Sequence, residues 1–474
     1  MKTHCNQKNF EFQTQNSRKI VAHFNGGNIS SDAGGLLLKQ TEQATGIINQ
    51  FAGCFTDHRD PDLIEHTAED LIAQRIYALA LGYEDLNDHD ELRNDPLLAL
   101  LVGKKDPTGK DRIRKRDKGK ALAGKSTLNR LELTPIRANK HSRYKKITVN
   151  KHAVDAFFTN MFLQSYDKPP STIVLDLDAT DDPIHGHQFG RFFHGYYGNY
   201  CFLPLYIFCG DHLLCARLRP SDIDASAGSV KELERIVSQI RNEWPDVHII
   251  IRADSGFCRE QIMFWCEQNN VDYVLGLAKN ERLKKEIAEE LQQAKELYKQ
   301  TGQAARVYKD FEYQTLNSWS RSRRVVGKAE YLQKGENPRF VVTSLSSEQF
   351  DAKTLYEEQY CARGDMENRI KEQQLYLFAD RTSAATMRAN QLRLWFSSVA
   401  YTLLNALRRL GLKGTKLAKA QCDTIRLKLL KIGAQIKVTV RKVWVSLSES
   451  YPYQQLFGRV YENLKRFCPT PMRC

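Results

Sequence analysis

The sequence predicts an α/β protein in which a mixed β-sheet flanked by helices follows a mainly helical N-terminal region. Three observations predict it. Residues 30–103 carry helical apolar spacing together with helix-start signals. From residue 172 the chain turns to short β-branched apolar runs that alternate with amphipathic helices. Residues 305–345 then revert to alternating, strand-like pieces, a β-rich block inside the α/β pattern.

In the N-terminal part, SSDAGGLLLKQTEQATGI, HTAEDLIAQRIYALALGY and NDHDELRNDPLLALLVG read as helices. Thr67, with Asp70 three residues on, has capping-box spacing before an apolar run. A short helix is expected around 150–165, and Lys168-Pro169-Pro170 marks a boundary. Strands are predicted over Thr172–Asp178, around Tyr200–Cys209 and His212–Leu218, and over Val247–Asp254 and Val271–Leu277. Helices are predicted over Ala227–Trp244, ended by Pro245, and from Arg259 onward. Residues 280–300 read as a charged helix, RRVVGKAEYL and RFVVTSLS as strands, and Thr354–Leu377 and 384–410 as long helices. The C-terminal part adds a basic helical stretch and one alternating strand, QIKVTVRKVWVSLS.

A chain of 474 residues predicts two or three units, and 42% hydrophobic residues suffice for a sizeable core. No apolar run reaches the roughly 18 residues of a membrane helix, and the polar N-terminus lacks a signal core, so the expected location is cytoplasmic. Eleven cysteines without a C-x-x-C pair predict reduced thiols, mostly small core residues. The net charge of +14 is concentrated. Residues 104–146 hold sixteen Lys/Arg and four Asp/Glu, and residues 405–445 hold eleven Lys/Arg and only Asp423. Such stretches suit a phosphate backbone, because each neutralised phosphate releases counterions. The alternative is a solvated basic loop.

Strand TIVLDLD places Asp176 and Asp178 on one face at its C-terminal end, because side chains alternate across a strand. VHIIIRAD likewise ends in Asp254. Two strands ending in Asp can set carboxylates side by side at a sheet edge, a donor set for hard divalent cations. Two such ions can clamp the attacking and leaving oxygens of a phosphodiester. The plain alternative is that each Asp caps a turn. In YEEQYCARGDMENRIKEQQLYLF, the spacing of Tyr360, Arg363, Glu367, Lys371 and Gln374 predicts one polar helical face, suited to a charged ligand or simply to solvent.

These residues resemble the DDE transposases of bacterial insertion sequences that carry a Tyr-x-x-Arg-x-x-x-Glu-x-x-x-x-x-x-Lys signature. Tyr360, Arg363 and Glu367 match it, whereas Gln374 stands at the final Lys and Lys371 lies one turn earlier. The first acid falls on Asp178 of Asp178-Ala179-Thr180, with Asp176 in reserve, and the second on Asp254 of RADSGF. GHQFGRFFHGYYGNYCFLPLYIFCGDH and SSDAGGLLLKQTEQ resemble one subgroup, the insertion-sequence-1380-like one, and the resemblance runs from about residue 28 to 455.

The resemblance implies an RNase H-like catalytic core with a β-rich insertion. The implied organisation is a helical and basic DNA-end-binding region over 1–165, core over 166–279, insertion over 280–350, core with the Glu helix over 351–410 and a basic region over 411–474. Asp178, Asp254 and Glu367 would be the catalytic, metal-binding acids, holding Mg²⁺ or Mn²⁺ as two ions. Tyr360, Arg363 and Lys371 would contact DNA phosphates. The implied partners are the terminal inverted repeats and target DNA, bound by a homodimer, with a nucleoid-associated location and no membrane. A nuclease without strand transfer and a non-enzymatic DNA-binding derivative would share many of these features.

Basic residues Arg114, Lys115, Arg116 and Lys125 are further candidates for phosphate contact. Gly119–Ser126 satisfies a phosphate-loop pattern, but DRIRKRDK before it cannot be the buried strand such a loop requires. His185, His187 and His194 lack the spacing of a zinc site. The aromatic run Arg191, Phe192, Phe193, Tyr196 and Tyr197 suits either base stacking or a packed sheet edge.

Overall fold

The computed structural model describes residues 9–468, and they form two compact units, each discontinuous in sequence. One comprises the chain up to Gly46, Arg59–Leu131 and the chain from Ala406 on. The other comprises Ile47–His58 and Glu132–Asn405. Among the described residues no helix is long and apolar enough to cross a membrane. Their nine cysteines are free thiols, six of them buried.

In the first unit, helices Gly35–Thr45, Ala68–Leu81 and Pro96–Val102 bury the apolar faces their spacing predicts. The Thr67 hydroxyl accepts from the Asp70 N–H at 3.1 Å, and the Asp70 carboxylate accepts from the Thr67 N–H at 3.0 Å, the reciprocal box expected from the sequence. Asn28–Ser30, Ala434–Val438 and Val443–Leu447 form a three-stranded antiparallel sheet. The segment QIKVTVRKVWVSLS is therefore two strands, not one. Thr439 makes the turn: its hydroxyl accepts from the Lys442 N–H at 3.0 Å and its N–H donates to the Lys442 carbonyl at 2.8 Å. No Gly or Asn marks the turn, so alternation alone masks it.

The second unit is built on a nine-stranded mixed sheet. Its main strands are β1 (Thr172–Ala179), β2 (Leu205–Cys209), β3 (His212–Arg217), β4 (His248–Ala253), β5 (Asp272–Leu277), β6 (Ala305–Tyr313), β7 (Arg323–Leu332) and β8 (Arg339–Thr343). Their order is β3-β2-β1-β4-β5-β8-β7-β6, and the two-residue strand Gly335–Glu336 pairs with β7. Strands β1, β4 and β5 run parallel; the other pairings are antiparallel. The stretch expected as one strand around Tyr200–Cys209 is two, Asn199–Phe202 and β2. Pro204 lies between them and has no N–H for a ladder.

Alternation along β1 and β4 decides which residues meet which layer. Ile173, Leu175, Leu177, Ile249, Ile251 and Ala253 face a core completed by Leu233, Ile236, Val237 and Ile240 of helix Ser229–Glu243. Those four helical positions are spaced three, one and three apart, a single apolar stripe. Each such side chain, fully buried, contributes roughly 1.5–3 kcal/mol. On the opposite face, Val174, Ile250 and Val274 pack against Leu355, Tyr356 and Tyr360 of the long helical segment Ala352–Tyr376. That segment is not uniform: wider π-type turns over Leu355–Tyr360 and Glu372–Tyr376 bracket a tight turn at Cys361–Arg363 and a regular helix over Gly364–Lys371.

Candidate active site

The face of β1 and β4 that meets this helical segment changes character along the strands. Apolar Val174 and Ile250 come first. Next, Asp176 and Arg252 stand in register on the parallel pair. Arg252 donates through Nε and Nη2 to the two Asp176 oxygens at 2.5 and 2.8 Å, and through Nη1 to the Gln359 carbonyl at 2.6 Å. Asp176 is 4% exposed, so both of its oxygens are committed to a buried, two-pronged ion pair. At the tips come Asp178 and, one residue past the last register pair Ala253–Leu177, Asp254.

Asp178 and Asp254 open onto a cleft of about 580 Å³ that is also lined by Arg363, Glu367, Lys371 and Gln374. The three acids of the sequence analysis are thus on one cavity. One Asp178 oxygen accepts from the Ala179 N–H at 2.8 Å, and one Asp254 oxygen from the Gly256 N–H at 2.9 Å. Asp254 therefore does cap the turn Ser255–Phe257, yet its second oxygen has no hydrogen bond among the described residues. The Arg363 guanidinium sits between the remaining acids, 3.4 Å from Asp178 and 2.8 Å from Glu367.

Burial pushes the Asp178 carboxyl up to about 7, and the charges of Asp254 and Glu367 add to that push. Arg363 and the Ala179 N–H oppose it. The same arrangement raises the pKa of Arg363, because its neighbouring carboxylates outweigh its own desolvation. Among the described residues, no three His, Cys, Asp or Glu side chains are gathered as a ready metal-holding group. The positive charge between the acids is supplied by Arg363.

Tyr360 departs from the expected single polar face. It lines a separate cavity of about 90 Å³ with Gly276 and Arg339, which shares Ser255 with the acid cleft. The wide turn over Leu355–Tyr360 and the tight one after it change the angular step, so spacing for a regular helix misplaces this residue. Lys371 is exposed on the acid cleft, and its side chain makes no hydrogen bond or ion pair among the described residues. Gln374, at the signature Lys position, donates to the Asp181 carbonyl at 3.0 Å and the Asp182 carboxylate at 2.9 Å. Burial drives the Asp182 carboxyl well above its ordinary range, so this amide braces a buried acid.

His194, at the end of strand Phe192–His194, and Tyr196 and Tyr197, on the turn from it to strand Asn199–Phe202, also line the cleft. The Tyr197 hydroxyl donates to the Ala179 carbonyl at 3.1 Å, which ties this hairpin to the tip of β1, while Tyr196 is 87% exposed. The Asp176–Arg252 pair escaped sequence reading. Its signal was present: D-x-D and R-x-D end two similar strands, with opposite charges at equivalent positions.

Of the basic candidates, Arg114 and Arg116 line a cleft in the first unit, and Lys115 does not. The Lys125 ammonium lies 3.2 Å from Asn87 Oδ1 and 3.5 Å from Asp90, and its N–H donates to Asp90 at 3.1 Å. A carboxylate thus caps helix Lys125–Glu132 where a phosphate loop would hold phosphate.

Among curated proteins, none matches the chain. A family model described as transposase DDE domain group 1 matches residues 12–469, nearly the whole length. With its strand-tip aspartates and helical glutamate on one cleft, the chain belongs to that DDE transposase family.

Proposed function

We propose that this protein cuts DNA at transposon ends and joins the freed 3′ hydroxyl to target DNA, with Asp178, Asp254 and Glu367 as its catalytic acids. The carrying observation is their convergence on one cleft from two adjacent strand tips and the facing helix. The order β3-β2-β1-β4-β5, with β2 alone running opposite to the other four, supports an RNase H-like core. On this reading β6–β8 are the insertion, added at the β5 edge of the same sheet. The region 1–165 recognises ends, 280–350 is the inserted block, and 411–474 is an accessory basic region.

The donor set fits divalent ions. All its atoms are hard oxygens. Asp178 and Asp254 each have one oxygen oriented by a backbone N–H; the other Asp178 oxygen meets Arg363 at 3.4 Å, and the other Asp254 oxygen has no hydrogen bond among the described residues. The raised proton affinity of Asp178 marks a site that wants more positive charge. Asp178 and Asp254 would hold both ions and Glu367 would complete the second site. Bound Mg²⁺ or Mn²⁺ supplies an activated oxygen nucleophile and charge neutralisation at the phosphorus. Arg363 bridges Asp178 and Glu367, and with ions bound it would be free to fork onto a phosphate. Lys371 offers a second phosphate contact. Both Asp176 oxygens are held by Arg252, which supports Asp178 over Asp176 as the first acid. Two DNA ends must be paired for transposition, which supports a homodimer on DNA.

The test is cleavage of DNA carrying the terminal repeats, in Mg²⁺ or Mn²⁺, by wild type and by Asp178→Ala, Asp254→Ala and Glu367→Ala. All three variants should lose cleavage and keep DNA binding. Cleavage by any of them at the wild-type rate removes that residue from the mechanism. Joining of a pre-cleaved end separates a transposase from a nuclease that only cuts.

A further inference from the structure

The first unit carries a cleft of about 610 Å³ whose chemistry is not that of the acid site. Seven arginine and lysine side chains line it, against three carboxylates. Some of that charge is already matched: Arg112 grips Glu65 with two hydrogen bonds of 3.2 and 2.9 Å. Other cations are not. Arg114 is exposed, and its side chain makes no hydrogen bond or ion pair among the described residues. Among the described residues the Arg116 side chain, 76% exposed, has only a 3.8 Å approach to Asp117. Arg93 spends Nε on the Asp90 carbonyl at 3.2 Å, leaving its terminal nitrogens available. One of these lies where a Cβ on Gly124 would come within 2.9 Å, so the glycine makes room for the guanidinium.

At the floor of this cleft is His66, 6% exposed, with no hydrogen-bond partner for either ring nitrogen. Its backbone is held by Arg59, which donates to its carbonyl at 2.8 Å, and by its place just before the Thr67 cap. Leaving buried polar atoms unpaired costs about 1–3 kcal/mol, a penalty that an incoming ligand would relieve. Burial, with Lys104 and Arg112 nearby, brings the ring down to about 4, so at neutral pH it is one donor and one acceptor. That pair complements a nucleobase edge better than a phosphate, which only accepts.

The unmatched cations favour a strand over a single nucleotide. The two groups a triphosphate would use, Lys125 and the N-terminus of its helix, are taken by Asn87 and Asp90. Arg114, Arg116 and Lys120 come from one stretch of the chain and Arg93 from another, the Lys120 ammonium also donating to the Arg116 carbonyl at 3.2 Å, and cations on two segments suit several phosphates better than one. We propose that this cleft binds a DNA strand, with Arg93, Arg114, Arg116 and Lys120 on its phosphates and His66 hydrogen-bonding one nucleobase edge. That the strand is DNA rests on the transposase reading.

The test uses the full chain in EDTA, so that no cleavage intervenes, and fluorescence anisotropy of a labelled random-sequence duplex across a salt series. Each lost phosphate contact removes about 0.9 from the slope of log K against log salt. The double variant Arg114→Ala/Arg116→Ala should therefore bind with a slope shallower by about 2. An unchanged slope overturns the proposal. So does ATP binding that the double variant loses while its duplex slope stays intact. His66→Phe keeps the ring volume and removes the orphan nitrogens. It should keep the thermal stability and the slope, but lose one base preference that wild type shows in selection from a randomised duplex pool. Identical selected sequences overturn the role of His66. Because binding is read without metal, these outcomes are independent of whether Asp178, Asp254 and Glu367 catalyse cleavage.

Discussion

Replacing Asp178 by Asn should stabilise the metal-free protein, and by an amount that depends on pH. The carboxyl is buried, beside Asp254 and Glu367, and its pKa rises from 3.8 to about 7 on folding. A carboxyl whose pKa is raised by folding favours the folded state fully below pH 3.8 and loses that favour as pH rises towards 7. Asn mimics the protonated acid and does not titrate. The two proteins should thus be equally stable near pH 3.5. At about 1.4 kcal/mol per pH unit, the variant should gain roughly 2 kcal/mol by pH 5 and level off near ~4 kcal/mol above pH 7. The Ala179 N–H bond survives, because the Asn carbonyl still accepts it. Urea unfolding in EDTA, followed by tryptophan fluorescence, reads this unit, since Trp244, Trp265, Trp319 and Trp395 lie in it and only Trp444 lies elsewhere. A stability difference that stays flat between pH 4 and 8 would refute the reasoning. The same variant should have no cleavage activity, so stability and function would move in opposite directions.

Arg363→Gln should bind Mn²⁺ about tenfold more tightly in the absence of DNA, because the guanidinium competes for the Asp178 and Glu367 oxygens. Titration calorimetry with Mn²⁺ measures it, and unchanged affinity means that the guanidinium is no competitor. Gly276→Ala should slow cleavage about 10- to 100-fold with DNA affinity intact, since its Cβ would stand 2.5 Å from the Tyr360 hydroxyl and 3.0 Å from the Ser255 nitrogen beside Asp254. A wild-type rate would show that the site absorbs the methyl group. Arg323→Ala should cost about 1.5–3 kcal/mol in urea unfolding, because it removes a guanidinium only 3% exposed from Glu260 and Glu267 and leaves them Ser320, Arg321 and Tyr273 as partners. A loss under 1 kcal/mol would mean that water compensates both carboxylates.

The candidate site was readable in the sequence as far as strand periodicity reaches. TIVLDLDA and HIIIRA place their charges on one face at one end, and β1 and β4 form with those residues there. The helical spacing of Arg363, Glu367, Lys371 and Gln374 likewise survives, because these four lie beyond the first wide turn. Tyr360 is the last residue of that turn, and no propensity marks where a helix takes a wider step. The turn at Thr439 was hidden for a related reason: a side-chain hydroxyl made it without the usual turn residues.

By itself, then, the sequence determined what depends on neighbours along the chain: which segments are strands, which face carries acid, where the Thr67 box starts a helix, and where positive charge accumulates. Only the tertiary structure decided what depends on neighbours across it. Pairing in register hands Asp176 to Arg252 and leaves Asp178 at the cleft. Packing brings the C-terminal strands beside Asn28–Ser30 and puts an unpaired His66 beneath a rim of cations. Local spacing fixes the direction in which a side chain leaves the backbone, but the charge that meets it there arrives from a distant part of the chain.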